Sequence, residues 1–171
     1  CHQARNPALK GKPVIVAGDP RKRHGIVLAA SYEAKAYGVK TGMINAEARS
    51  LCPNAVWIQP RFEMYVETSH RIHEIMLQFT PKVEPFSIDE AFMDVSGCLR
   101  LWGDGETIAR ELKKRIRREV GVCCSVGVGP NKLLAKMAAE MQKPDGLTVL
   151  RYQDIPERLW PLPVDELFGV G

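Results

Sequence analysis

Residues 83–96 read VEPFSIDEAFMDVS, an apolar and extended-looking stretch that carries two adjacent acids, Asp89 and Glu90. Charged side chains are rarely buried unless they are paired or bound to a metal ion. Phe86, Ile88 and Phe92 share one phase of the alternation expected for a strand. Glu90 interrupts that phase, which predicts a hairpin bend where both carboxylates can face one site.

The adjacent acids have two interpretations. Carboxylate oxygens are hard ligands that suit Mg²⁺, which is usually bound together with substrate phosphates, so the pair indicates phosphoryl-transfer chemistry. The alternative is an exposed turn in which Asp89 and Glu90 are simply solvated. The spacing alone favours neither interpretation.

The sequence after this stretch alternates helix and strand. The predicted elements are a helix over 105–120, a strand over 121–127, a helix over 130–142 and a strand over 147–150. Counted from Val83, the order is β-β-α-β-α-β, which predicts an α+β fold with helices on one face of a sheet.

The sequence before this stretch has a different pattern and predicts a separate lobe. The predicted elements are strands over 13–19, 25–31 and 56–58, and helices beginning at Tyr32 and spanning 44–51 and 62–79. Ser31 is placed to cap the helix that begins at Tyr32, and Gly38 to end it.

The composition is that of an ordinary globular protein. The 171 residues are 45% hydrophobic and 26% charged, with a formal net charge of +4 that favours nucleic acid only weakly. The five cysteines contain no C-x-x-C pair, so a zinc site is not expected. We expect the cysteines to be free thiols in a reducing cytoplasm. No apolar run reaches the length of a membrane span.

Lysines mark one face of the predicted helix over 130–142. Lys132 and Lys136 are one turn apart, and Lys143 falls close to the same face just past the helix end. Leu133 and Leu134 begin the opposite, apolar face. The lysine row suits contact with phosphates, although a solvated helix face has the same pattern.

Two further groups of basic residues have functional and plain interpretations. Tyr32 and Lys35 share a helix face and together could bind a triphosphate, or they are a half-buried tyrosine and a surface lysine. The basic run over 113–118 is assigned mainly to the solvent-exposed face of an amphipathic helix, and contact with a DNA backbone is the less favoured interpretation.

Four blocks in this order resemble the Y-family translesion DNA polymerases, most closely the bacterial DNA polymerase IV group. The blocks are residues 6–14, 30–39, 87–91 and 129–146. The resemblance covers essentially the whole chain. It implies a polymerase palm with a ferredoxin-like β-α-β-β-α-β sheet, together with a small α/β fingers lobe.

The resemblance also implies roles for individual residues. Asp89 and Glu90 would be catalytic carboxylates that bind two Mg²⁺ ions in the complete enzyme, with Glu90 also serving the primer-end oxygen. Tyr32, Lys35 and Lys143 would contact the triphosphate of a dNTP. Many members have Arg at the position of Lys35, and Lys lacks the two-pronged guanidinium. Lys132 and Lys136 would contact DNA or phosphate.

The ends of the sequence imply a piece of a longer enzyme. Family members begin with a strand that carries another metal-binding Asp and then an aromatic residue that excludes ribonucleotides, and this sequence begins after both. We therefore expect 1–62 to be fingers, 63–152 palm and 153–171 the start of a thumb, with negligible polymerase activity from these residues alone. A sliding clamp is expected to bind through a tail beyond residue 171.

Two alternatives to an active polymerase stay open at this point. The first is a catalytically inactive, polymerase-derived module that binds DNA or a partner protein. The second is a nucleotidyl cyclase with a similar palm, which would share the paired acids but would leave the blocks around Tyr32 and Lys143 unexplained.

Overall fold

The computed structural model describes residues 1–18 and 25–170, which form two compact units, Cys1–Tyr65 and Val66–Gly171. The helices and strands in chain order are α1 (His2–Arg5), β1 (Val14–Ala17), β2 (Val27–Ala30), α2 (Tyr32–Lys35), α3 (Asn45–Leu51), β3 (Val56–Ile58), α4 (Phe62–Leu77), β4 (Val83–Pro85), β5 (Ala91–Met93), α5 (Leu99–Trp102), α6 (Gly105–Val120), β6 (Val126–Val128), α7 (Lys132–Met141), β7 (Leu147–Val149) and α8 (Ile155–Arg158). Short 3₁₀ turns cover Pro7–Leu9, Tyr152–Asp154 and Val164–Glu166.

The first unit is built on a three-stranded sheet in the order β2-β1-β3. Strand β1 pairs antiparallel with β2 and parallel with β3. Ile15 and Val27 are fully buried and pack with Ala34 of α2 and Ala48 of α3. Because the central strand is covered by these helices, the N-terminus of α2 is fixed at the end of β2.

Two long helices, α4 and α6, pack on the β4–β5 hairpin in the first part of the second unit. Strands β4 and β5 pair antiparallel, with Glu84 opposite Phe92. Ile75 of α4 and Ile108, Leu112 and Ile116 of α6 are buried in one cluster that contacts the apolar side of this hairpin. The helical spacing of the three α6 residues is the reason that α6 packs along one face.

The remainder of the second unit is a parallel pair of strands covered by α7. Strand β6 pairs with β7, and Leu134, Met137 and Ala138 of α7 are buried together with Leu150. The chain after α8 packs on the same cluster through apolar side chains. These are Ile155, Leu159, Leu162 and Leu167.

The predicted order of elements is present in the second unit as β4-β5-α6-β6-α7-β7, with the unpredicted short helix α5 before α6. The backbone ladders of the described residues join β4 to β5 and β6 to β7, and none of them links the two pairs. The described ladders therefore form two small sheets and not one continuous sheet. A mixed α+β class is nonetheless what the strand order predicted.

Several predicted boundaries are wrong by a few residues. The strand placed at 121–127 lies at 126–128, because Gly121 ends α6 in a left-handed conformation and the next residues have no ladder partner. The helix placed at 130–142 begins at Lys132, since Asn131 is its N-cap. Residue 19, the end of the predicted first strand, lies outside the described residues.

No helix in the described part of the chain is both long and apolar enough to cross a membrane. All five cysteines are free thiols, as the sequence predicted, and only Cys52 is fully buried.

Candidate active site

The acidic pair lies in the turn of the β4–β5 hairpin, as the broken alternation predicted. The amides of Phe86 and Ser87 both donate to the carbonyl oxygen of Glu90, at 2.9 and 3.0 Å. Asp89 is exposed and its Oδ1 accepts a hydrogen bond from the Ser87 hydroxyl at 2.8 Å. Glu90 is half-buried. The turn therefore presents two carboxylates at one end of the hairpin.

Helix α7 approaches β6 at backbone contact distance because two glycines lie beneath it. A Cβ on Gly127 would be 2.0 Å from the Ala135 carbonyl oxygen, and one on Gly129 would be 2.7 Å from the Ala135 amide nitrogen. The side chain of Asn131 accepts a hydrogen bond from the Leu134 amide at 2.9 Å and so fixes the first turn of α7. Glycine spacing and cap together determine where the lysines of α7 are placed.

Lys136 connects the hairpin turn to the end of α7. Its ammonium contacts Oε1 of Glu90 and also donates to Oε1 of Glu140 at 2.8 Å. The other oxygen of Glu140 pairs with Lys143 at 2.6 Å. Three of the residues predicted for the site are thus connected: Lys136 contacts Glu90 directly, and Glu140 links Lys136 to Lys143.

The charges of this network stabilise one another. Burial disfavours the charged form of Lys136, but the hydrogen bonds with Glu140 and Glu90 outweigh it and raise the pKa of the ammonium. Burial also favours the neutral acid at Glu140, yet hydrogen bonds from Lys136 and Lys143 lower the pKa of that carboxyl. Both groups therefore stay ionised near neutral pH.

Lys132, one turn earlier on α7, contacts the strands of the hairpin. Its ammonium pairs with Glu84 of β4 and lies 5.8 Å from the ring centre of Phe92 on β5. Lys132 and Lys136 thus lie on the same side of α7, as predicted, and both face carboxylates of the hairpin. Their predicted contact with DNA or phosphate stays a prediction.

Tyr32 and Lys35 belong to the first unit, and α2 brings them together. The Ser31 hydroxyl accepts a hydrogen bond from the Ala34 amide at 3.3 Å, which is the predicted cap. The Lys35 ammonium lies 5.1 Å from the ring centre of Tyr32. Lys35 also borders a shallow cleft of about 350 Å³ that includes Lys40. The tyrosine hydroxyl and the ammonium of Lys35 are groups that can bind an anion, and Lys40 adds a second positive charge to the cleft beside Lys35.

The described residues contain no group of three or more His, Cys, Asp or Glu side chains arranged to hold a metal ion. The donor set at the hairpin turn still fits Mg²⁺, which is often bound by one or two carboxylates plus substrate phosphates. Within the described residues, Ser87 occupies only Oδ1 of Asp89, and Lys136 only Oε1 of Glu90. The second oxygen of each carboxylate is therefore available to a cation.

Sequence reasoning missed the acids that face the lysines. Glu140 lies four residues after Lys136 and three before Lys143, a helical spacing that could have identified it. Glu84 offers no such signal, because it lies 48 residues from Lys132 along the chain and only the tertiary fold brings the two side chains together.

Comparison with known proteins gives the family. A model of the impB/mucB/samB family matches residues 1–140. The chain belongs to the impB/mucB/samB family. A protein named DNA polymerase IV from Pelotomaculum thermopropionicum is 68% identical over 170 residues, which are 99% of this chain and 42% of that protein. The chain therefore spans less than half the length of this relative.

Solved structures agree with this family. The crystal structure of DinB from Sulfolobus solfataricus matches 99% of this chain with a TM-score of 0.90 at 36% identity, and half of that protein is covered. An insertion ternary complex of Dbh DNA polymerase matches the same share of the chain with a TM-score of 0.90 at 37% identity, again over half of its length. The resemblance to Y-family polymerases and the α+β fold class are confirmed.

Proposed function

We propose that this chain carries part of the active site of a DNA-directed DNA polymerase that performs low-fidelity translesion synthesis. The observation that carries the proposal is the β4–β5 turn, which presents Asp89 and Glu90 side by side in a chain related to DNA polymerase IV. The reaction would transfer a nucleotide from a dNTP to the 3′-hydroxyl of a primer.

The two acids have distinct surroundings and therefore distinct tasks. Asp89 is exposed and faces no cation among the described residues, so it would be the principal metal ligand. Glu90 is steadied by Lys136 through one oxygen, and its other oxygen would serve the metal ions and the primer end. Two bound Mg²⁺ ions would supply activation of the hydroxyl and neutralise charge on the transferring phosphoryl group.

The remaining predicted residues would bind the substrates. Tyr32, Lys35 and Lys143 would contact the triphosphate, and Lys132 and Lys136 the DNA or phosphates near the primer end. Exposed ion pairs are weak, at about 0–1 kcal/mol, so a polyanion can displace the acids that now pair with Lys132 and Lys143. The similarity of the chain to a ternary complex of Dbh DNA polymerase supports the binding of substrates by this fold.

The division of the chain supports a domain assignment. We assign 1–62 to fingers, 63–152 to palm and 153–171 to the start of a thumb; the boundary between the compact units, Tyr65 to Val66, lies close to the first of these borders. Five cysteines without a disulfide suit a reducing compartment such as the cytoplasm. A sliding clamp is the further partner that we predict for the complete protein.

Primer extension by the complete protein tests the proposal. Asp89→Ala and Glu90→Ala should each reduce templated incorporation by about a hundredfold or more, since the metal ions that these acids would hold supply several kcal/mol of transition-state stabilisation. Asp94→Asn is the matched control, because Asp94 is an exposed acid of the same hairpin whose carboxylate accepts from Ser96 and Lys82.

Normal extension by both alanine variants would overturn the roles given to the two acids. Absence of extension by the unaltered protein, with DNA binding retained, would instead identify an inactive DNA-binding module.

A further inference from the structure

The turn that follows α7 is held on one side by hydrogen bonds with Ser125 and Val126. It spans residues 142–146 and contains Lys143. The Gly146 amide donates to the Ser125 hydroxyl at 3.2 Å, and the Val126 amide donates to the Gly146 carbonyl at 3.0 Å. A Cβ on Gly146 would be 1.9 Å from the Gln142 carbonyl oxygen, so the turn folds back closely on itself.

Lys113 of α6 holds the other side of the turn. Its ammonium donates to Oδ1 of Asp145 at 2.7 Å, to the Asp145 carbonyl at 2.9 Å and to the Gly146 carbonyl at 3.1 Å. It also contacts the Cys124 carbonyl. The side chain is only 17% exposed. A charged group so enclosed is stable only because all of its donors are used.

Asp145 needs this support because its backbone conformation is unusual. Its φ is +53°, in the left-handed region that residues other than glycine rarely adopt. Arg117 of α6 contacts the second oxygen of the same carboxylate. Two cations of α6 therefore hold Asp145 in place and with it the chain direction after Lys143.

The Lys143 side chain, in contrast, is loosely held. Its side chain is 44% exposed, and among residues 1–18 and 25–170 its one ion pair is with Glu140 at the end of α7. The backbone that carries Lys143 is thus fixed while its ammonium is free to exchange partners. This combination suits a residue that must reach a ligand from a set position.

We infer that Lys113 is a positioning residue for Lys143, acting through Asp145 and the turn over 142–146. The inference rests on the proposed function, in which Lys143 contacts the dNTP triphosphate. Without Lys113 the Asp145 carbonyl and carboxylate lose this donor, the Gly146 carbonyl keeps only the Val126 amide, and the turn relaxes. Lys143 then spends less time within reach of the triphosphate, which weakens nucleotide binding more than it slows the chemical step.

Steady-state primer extension by the complete protein tests this inference. Lys113→Met should raise the KM for dNTP on the order of tenfold with kcat nearly unchanged, a size typical of coupled residues in one hydrogen-bond network. Lys114→Met is the matched control, because Lys114 is the next residue on α6, is 70% exposed and, within the described part of the chain, pairs only with Glu111 at 3.7 Å. It should leave both constants unchanged.

A double-mutant cycle separates positioning from general stability. In a Lys143→Ala background, Lys113→Met should change the KM for dNTP by less than about twofold, because the residue through which it acts is gone. Amide hydrogen exchange should also show faster exchange at Gly146 in Lys113→Met and not in Lys114→Met. Should Lys113→Met fail to fold, Asp145→Asn replaces it, with a smaller rise in KM that is again lost in the Lys143→Ala background.

Each other outcome overturns a specific claim. An equal rise in KM in both backgrounds, or a fall in kcat with KM unchanged, would overturn the positioning role of Lys113. A KM for dNTP that is unaffected by Lys143→Ala itself would overturn the proposed triphosphate contact, and the inference would fall with it.

Discussion

Replacing Gly127 of β6 with alanine should strongly destabilise the second unit. The new Cβ would be 2.0 Å from the Ala135 carbonyl oxygen and 2.4 Å from the Ala139 amide nitrogen. Ordinary contact begins near 3.4 Å, so the atoms must separate by about 1.4 Å. Both neighbouring atoms belong to the backbone of α7 and cannot rotate away.

The whole helix must therefore move off the strand. That movement would loosen the packing of Leu134, Met137 and Ala138, which are the buried side chains of α7. Overpacking usually costs about 1–3 kcal/mol, and a clash with helix backbone belongs at the upper end, near 3 kcal/mol. With a urea dependence of about 1–3 kcal/mol per molar, the midpoint of unfolding should fall by at least about 1 M.

Urea unfolding followed by tryptophan fluorescence measures this effect. A Trp57→Phe background leaves Trp102 and Trp160 as reporters, both of which belong to the second unit. Gly97→Ala is the matched control, because Gly97 is exposed and a Cβ there meets nothing within 4 Å. Its unfolding free energy should change by less than about 0.5 kcal/mol. An unchanged midpoint for Gly127→Ala would refute the claim that backbone contact with β6 fixes the position of α7.

Two further predictions concern the cap of α7 and the turn after it. Asn131→Ala should lower the unfolding free energy of the second unit by about 1 kcal/mol, because the Leu134 amide loses its acceptor. Asn131→Ser should retain most of this stability, since serine is also a good N-cap residue. An equal loss of stability in both variants would contradict the capping role. The hydrogen bond from Lys113, aided by the charges of Lys113 and Arg117, lowers the pKa of the Asp145 carboxyl against the opposing effect of burial. The ionised carboxylate therefore contributes fully to the free energy of unfolding above about pH 5, and this contribution is lost as the pH falls through the lowered pKa. The difference in unfolding free energy between the unaltered chain and Asp145→Asn should therefore shrink on acidification, and a difference that stays constant down to about pH 2 would contradict this assignment.

The hairpin and the lysine row could be predicted because both are local patterns. A break in strand alternation at Glu90 located the turn, and one-turn spacing placed Lys132 and Lys136 on one side of α7. Leu133 shows the limit of such patterns. The sequence pattern places it in the core, but it is 47% exposed, because the buried residues of α7 are Leu134, Met137 and Ala138 and begin one residue later.

The partners of the charged residues could not be predicted, because they depend on which elements the fold brings together. Lys113 lies in a strongly basic run that was assigned mainly to solvent, yet it is enclosed by a turn 32 residues further along the chain. Charge density along a helix does not reveal which member of the run points at a neighbouring element. The contact between Lys113 and the turn over 142–146 therefore cannot be predicted from the sequence of α6.

The degree of enclosure also distinguishes the three lysines near the hairpin. The side chains of Lys132 and Lys143 are 60% and 44% exposed, and each pairs with a single carboxylate among the residues that the structure describes. Lys136 is 15% exposed and faces two carboxylates, Glu90 and Glu140. Displacing an exposed pair costs at most about 1 kcal/mol, whereas removing Lys136 would leave two acids close together without a cation between them. Lys132 and Lys143 are therefore better able than Lys136 to turn toward a phosphate, and any contact that Lys136 makes with phosphate adds to its part in keeping Glu90 in place.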